Sequence, residues 1–347
     1  MTLADFRTDQ IAWAVKTGLG PWLRRCTSRD PAAASSPFWA LVQAADVTAR
    51  IIMAEQLDAM EELVEVCAQH APPVTLLKGI SLCDQYYPEP HLRVMGDIDI
   101  LVDGEDGIAS VQAQLLRLGY RAESDYPPEF YATHHHVCPL FHPRRRVWVE
   151  IHRGLFPSSS RVGADRVFGL DSVRAELRPS TFHGTPVNRL SDELQLIYLA
   201  SHWAFGLKHA RGIVGMLDVV RLLANAPALR WERILEGLHH STAATYVSLL
   251  LTYLHRRRLA DIDADILREV LRRQRSFGRA SLRVLHAVID RYVVDGREFS
   301  RLMRERNVTI IWEALLSPGP PSRNLLTLFW NLLPSRAWLA RSLTGRG

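Results

Sequence analysis

The chain has 347 residues, 47% of them hydrophobic and 23% charged, enough apolar material for two or three modest domains and too balanced for a disordered chain. Its net charge of +5 is mild and is carried mostly by arginine, since only Lys16, Lys78 and Lys208 are lysines; this suits a polyphosphate ligand without requiring one. The four cysteines, Cys26, Cys67, Cys83 and Cys138, form no CxxC pair, which excludes a cysteine zinc site or a disulfide framework, and no apolar run reaches the length of a membrane span.

Residues 1 to about 70 carry helical periodicity. Ile51, Ile52, Leu57, Met60, Leu63, Val64 and Cys67 recur at helical spacing between acidic residues, and Ala71-Pro72-Pro73 ends the pattern. Val74 to Leu77 is a short apolar run that reads as a buried strand with a tight turn at Lys78-Gly79. Ser81 to Tyr87 reads as a helix, stopped by Pro88 and Pro90. Asp97 to Val102 is a second strand, and Asp106 to Leu118 an amphipathic helix ended by Gly119. Tyr120 to Glu123 and Val137 to Phe141 are weaker strands, and Arg144-Arg145-Arg146 reads as a hairpin turn. Arg146 to His152 alternates, with Val147, Val149 and Ile151 on one face and Trp148, Glu150 and His152 on the other. Helical periodicity returns at Ser191-Asp192-Glu193, an N-cap followed by first-turn acids. Further helices are expected over Met216 to Leu223, Trp231 to Leu238, Ala243 to Leu254 and Ile266 to Val270.

The chemistry concentrates in Gly96-Asp97-Ile98-Asp99-Ile100-Leu101-Val102. Strand side chains alternate with period 2, so Asp97 and Asp99 share one face. Two like charges side by side repel, and a cation between them relieves the repulsion; hard, oxygen-liganded Mg²⁺ is the natural candidate. Glu150, mid-strand between apolar neighbours, is the best third carboxylate, as a further metal ligand or as the base for an attacking hydroxyl. Gly79 and Ser81, between a strand and a helix, are placed to cradle phosphate, with Lys78 and Arg93 supplying charge. His152 shares a face with Glu150 and is expected to support it.

These residues resemble a known family. Leu77-Lys78-Gly79, Tyr87-Pro88, Arg93, Asp97-Ile98-Asp99, Gly119-Tyr120, Val149-Glu150-Ile151-His152 and His202-Trp203 are similar to the bacterial uncharacterised nucleotidyltransferases of the polymerase-beta-like superfamily. The resemblance implies an α+β fold: a small mixed-sheet core over residues 73–188, an N-terminal helical region over 1–72 and a C-terminal helical domain over 189–347. It implies Asp97 and Asp99 as metal ligands, Glu150 as the carboxylate completing the catalytic triad, and Gly79 and Ser81 as phosphate contacts; Lys78 and Arg93 as nucleotide-binding charges and His152 behind the carboxylates come from the residues themselves. The cofactor would be Mg²⁺, with Mn²⁺ as a substitute. The substrate would be a nucleoside triphosphate, and a monophosphate, AMP in the first instance, would pass to a hydroxyl or phosphate of a small-molecule or peptide acceptor. Natural-product or cell-surface polysaccharide biosynthesis is the implied setting. The chain departs from the superfamily in reading Gly-Ile-Ser where Gly-Ser is usual and Glu at 150 where Asp is commoner. A non-catalytic nucleotide- or partner-binding module on the same fold, and an RNA-acting or toxin-like transferase, are the alternative readings.

Nucleic acid is otherwise not an expected partner, and a cytoplasmic location follows from cysteine usage and the lack of a signal-like segment. His134-His135-His136 is expected to be a polar loop near the site, because consecutive side chains in regular structure diverge. Asp218 and Arg211 are expected to pair or to line the cleft. Leu325 to Leu343, rich in Leu and Trp with Arg336 and Arg341, reads as a docked helix rather than a membrane-surface one.

Overall fold

The periodicity before residue 70 becomes three helices, α1 (Thr8–Lys16), α2 (Gly20–Cys26) and α3 (Trp39–His70), in a computed structural model that describes residues 2–294 apart from 72, 206–211, 227 and 275–277. Along α3 the stripe Ala49, Met53, Met60, Leu63 and Cys67 is buried at helical spacing. That stripe leaves Ile51 and Ile52 on the opposite side, where they are exposed, so these two do not extend the core face that the spacing suggested.

Seven strands follow: β1 (Thr75–Leu76), β2 (Ile98–Leu101), β3 (Arg121–Ala122), β4 (Leu140–His142), β5 (Val147–His152), β6 (Leu177–Phe182) and β7 (Thr185–Leu190). They form one mixed sheet in the order β3-β4-β5-β2-β1-β7-β6, with β2–β5 and β1–β7 parallel and the other pairs antiparallel. Between them lie α4 (Lys78–Leu82), α5 (Glu105–Arg117), α6 (Pro128–Ala132) and α7 (Leu170–Ala175). After the sheet come α8 (Asp192–Phe205), α9 (Gly212–Asn225), α10 (Trp231–Gly237), α11 (Ala243–Arg256), α12 (Ala264–Arg273) and α13 (Arg279–Val288). This is an α+β architecture with helices at both ends of the described chain.

Ile98 and Ile100 of β2, with Val147, Val149 and Ile151 of β5, point into a core closed by α3 and by Ile108, Val111 and Leu115 of α5. A second core joins Leu77, Leu82 and Leu101 to α8, α9, α11, α12 and α13. The polar residues of β2 and β5 fall between these two cores, because strand alternation turns them away from the first and toward α8.

Three sequence expectations change. The strand after Val74 holds only Thr75 and Leu76, and the helix expected from Ser81 runs from Lys78 to Leu82 instead. Lys78 takes a φ of 45°, in the left-handed region, so the chain leaves β1 and turns into α4 at once. The third change is the β6–β7 hairpin, whose turn at His183-Gly184 has φ values of 46° and 90°. Two adjacent residues with positive φ match the handedness of a hairpin, and that histidine-glycine pair was the available sequence signal. Ser191 caps α8 as expected, its hydroxyl accepting from the Leu194 N–H at 3.2 Å. The arginine run turns between β4 and β5. Leu325 to Leu343, Lys208 and Arg211 lie outside the described residues.

Candidate active site

The register of β2 against β5 builds the site. Asp99 is the direct neighbour of Glu150, and Leu101 of His152, in a parallel pair. Like charges facing each other across strands destabilise a sheet, so this pair calls for compensation. Some comes from within the chain. Asp99, 3% exposed, accepts from Lys78 Nζ at 2.7 Å and from His152 Nε2 at 2.8 Å. His152 is fully buried, and its Nε2 also lies 3.5 Å from Glu150 Oε2.

Asp97 lies immediately before β2 and is half-buried. The negative charge of Asp99, reinforced by burial, pushes its carboxyl up to about 6. Asp99 goes the other way: burial alone would raise it, but the Lys78 ammonium and the His152 hydrogen bond hold it well below the ordinary carboxylate range. Glu150 is likewise drawn down against its burial by the His152 hydrogen bond. Burial opposes charge on His152 and Lys78, yet the carboxylates raise both above their ordinary values. The arrangement is a half-compensated acidic cluster in which one arm, Asp97, is harder to ionise because of its neighbour.

The other expected residues divide. Gly79 is buried, and a Cβ there would stand 2.9 Å from Met95 Sδ, so close packing explains this glycine. Arg93 spans Asp218 with two hydrogen bonds, Nε to Oδ1 at 2.6 Å and Nη2 to Oδ2 at 2.8 Å, and donates to the Val94 carbonyl. Asp218, which could not be assigned from sequence, thus pairs with Arg93 and accepts from the Tyr87 hydroxyl at 2.6 Å. Ser81 is fully buried; its hydroxyl faces Gln195 Oε1 at 3.4 Å and its carbonyl accepts from Arg189. The structure therefore brings Asp99, Glu150, His152 and Lys78 together, leaves Asp97 near enough to feel their charge, and sets Ser81 and Arg93 into neighbouring contacts of their own.

Two further groups lie at this place, the first missed by sequence reading and the second expected near the site. The first is a stripe on α8. Gln195 Nε2, Tyr198 Oη and Ser201 Oγ are buried without a hydrogen-bond partner, at i, i+3 and i+6 of one helix face. The charges of Lys78 and Asp99 act on the Tyr198 hydroxyl, which burial pushes up, and on His202, which burial holds down to about 3. A polar stripe inside an apolar helix was visible in the sequence, but only the sheet opposite it gives it meaning. The second is His134-His135-His136. These side chains converge, with ring centroids 4.2 to 4.9 Å apart, because the backbone there bends instead of running as helix or strand. The run is thus a polar loop near the site, as expected, and the divergence argued for regular structure does not apply to it. His136 pairs with His152 in an isolated antiparallel bridge, so the run packs against the end of β5.

Carboxylates on adjacent strands beside a lysine and a histidine make a site with the chemistry to hold a cation. A family model described as uncharacterised nucleotidyltransferase matches residues 8–258, and the chain belongs to that family. The family implies a nucleoside triphosphate as substrate. No curated protein and no solved structure gives a significant match. Among the described residues, no helix is long and apolar enough to cross a membrane.

Proposed function

We propose that the chain is a divalent-metal-dependent nucleotidyltransferase. It moves a nucleoside monophosphate, AMP in the first instance, from a nucleoside triphosphate to a hydroxyl or phosphate of a small-molecule or peptide acceptor. The observation that carries this reading is the parallel register placing Asp99 beside Glu150, with Asp97 at the same strand's entrance. The donor set fits a hard cation: the carboxylates of Asp99 and Glu150 come within 4.8 Å of each other beside His152, and repulsion from Asp99 raises Asp97, just before the strand, to about 6. Asp97, Asp99 and Glu150 would hold Mg²⁺ or Mn²⁺, which when bound neutralises phosphate charge and orients the attacking group.

The chain's own groups do the rest. His152 and Lys78 fix the Asp99 carboxylate before substrate arrives, so no reorganisation is needed on binding. Lys78 adds a fixed positive charge beside the reacting phosphate. Glu150, less deeply buried than Asp99, is placed to accept the acceptor's proton. Triphosphate labelled at the α-phosphate, supplied with Mg²⁺ and a cell extract as acceptor source, tests the reading. Label should pass to a product only with divalent metal, and Asp97→Asn with Asp99→Asn should lower transfer by about 100-fold or more. Unchanged labelling by that double variant would overturn it.

A further inference from the structure

We propose that His134, His135 and His136 form a binding site for a borderline divalent metal ion, with Zn²⁺ as its fitting ion, distinct from the carboxylate site beside it. One nitrogen from each of the three imidazoles lies within 4.8 Å of the others. Nδ1 of His134 and Nδ1 of His135 are buried and have no hydrogen-bond partner. Buried polar atoms are nearly always satisfied, so two orphaned imidazole nitrogens in one cluster ask for a ligand that the protein itself does not provide. His136 is prepared differently. Its Nδ1 donates to the Val137 carbonyl at 2.8 Å, which leaves Nε2 as the lone-pair nitrogen. That is the arrangement of a metal-bound histidine, whose far N–H is held by a backbone carbonyl.

The surroundings support the set. Phe130 stacks on His134 with ring centroids 4.8 Å apart, and Tyr131 lies against His136. Arg153 Nη1 donates to the carbonyls of Tyr131 and Ala132, and the Arg153 N–H to the carbonyl of His135, which pins the bent segment at both ends. Three imidazoles favour zinc-like ions over Mg²⁺, whereas Asp97, Asp99 and Glu150 present oxygen to a hard cation. Glu150 Oε2 lies 3.9 Å from His136 Nε2, so the two sites share a wall while differing in donor chemistry.

The test is metal binding by the full chain, read without activity. Purified protein is equilibrated with Zn²⁺ in excess Mg²⁺, freed of loose ion and analysed for metal content. X-ray absorption at the zinc edge then counts imidazole ligands. One retained zinc with three imidazoles is expected, with retention lost in His134→Ala and kept in Asp99→Asn. No retained zinc, or zinc bearing a single imidazole, overturns the proposal, because the second result places the ion on Asp99, Glu150 and His152. Loss in Asp99→Asn with retention in His134→Ala overturns it as well. The absorption measurement on unmodified protein decides the matter if a variant fails to fold. Failure here leaves the transferase reading standing, since that rests on transfer by the Asp97 and Asp99 variants.

Discussion

Lys78 combines two costs that ordinary residues avoid. Its φ of 45° is unfavourable for any residue with a Cβ, and its charged side chain is only 15% exposed. Both are tolerated because the turn delivers the ammonium to Asp99. Removing one partner of a buried pair leaves the other charge uncompensated, at a cost of about 3 to 5 kcal/mol. Lys78→Ala should therefore lower the urea midpoint strongly, and Lys78→Gly by about 1 kcal/mol less, since glycine sheds the backbone strain. Added Mg²⁺ should recover part of the loss in both, because a cation at Asp99 would replace the missing charge. Equal midpoints for the two variants would show that the turn is unstrained. At this scale the sequence was legible where alternation decides: period 2 sets Glu150 and His152 on one face of their strand, while the β2–β5 register that brings Asp99 beside them is a property of the sheet. It was not legible for Arg93 and Ser81, whose partners Asp218 and Gln195 lie more than a hundred residues away. The histidine run was placed near the site from sequence, but its convergence was not legible, because the argument for divergence holds in regular structure and the backbone there is irregular.

Helices and strands were legible in existence more than in extent. α3, α5, β2 and β5 follow from periodicity, but β6 and β7 alternate weakly, with only Phe182 buried along β6, so no clean pattern marked them. The hairpin depends on its turn. Gly184 has a φ of 90° and open space around it, so Gly184→Ala is penalised by conformation alone and should cost about 1 kcal/mol. A thermal melt that does not move would show that the turn relaxes. The start of α8 is held by charge. Glu193 accepts from Arg230 Nε at 2.8 Å, Nη2 at 3.1 Å and the backbone N–H at 3.1 Å, and these bonds lower its carboxyl from 4.5 to about 2. A depressed carboxyl stabilises the fold above its unfolded value and stops doing so as pH falls through the folded one. This contribution should be whole above about pH 4.5 and gone near pH 2. Glu193→Gln should lose about 2 kcal/mol at neutral pH, and the gap to the unmodified chain should close as pH falls through that window. A gap independent of pH would assign the loss to packing. On the same helix, Tyr198→Phe removes an orphaned buried hydroxyl and should leave stability equal or higher. A lower melting temperature would mean that the hydroxyl has found a partner, such as ordered water.

The family match ends at residue 258, just past α11, but the hydrophobic core does not. Leu267 and Val270 of α12 and Leu285 and Val288 of α13 are buried in the same core as Leu194, Tyr198 and Leu250, and Ile262 and Ile289 join them. Ser248 of α11 donates to the Val270 carbonyl at 2.9 Å, and the Tyr253 hydroxyl donates to Asp290 at 2.7 Å. Those two helices thus close the outer face of the layer whose inner face, through α8, covers the acidic cluster. Each large aliphatic side chain buried from water stabilises by about 1.5 to 3 kcal/mol. Removing six such residues should forfeit roughly 10 kcal/mol, comparable to the whole stability of a domain of about 5 to 15 kcal/mol. A chain cut after residue 258 should expose the apolar face of α11, lose its near-ultraviolet circular dichroism and aggregate, whereas the full chain keeps both helices and stays folded. The loss should reach the site, because Lys78 and Asp99 rest against α8, which α11 packs on. Limited proteolysis and a thermal melt of the truncated and full chains decide it: a cooperative transition in the shorter chain would show that the sheet and α8 to α11 hold the site unaided.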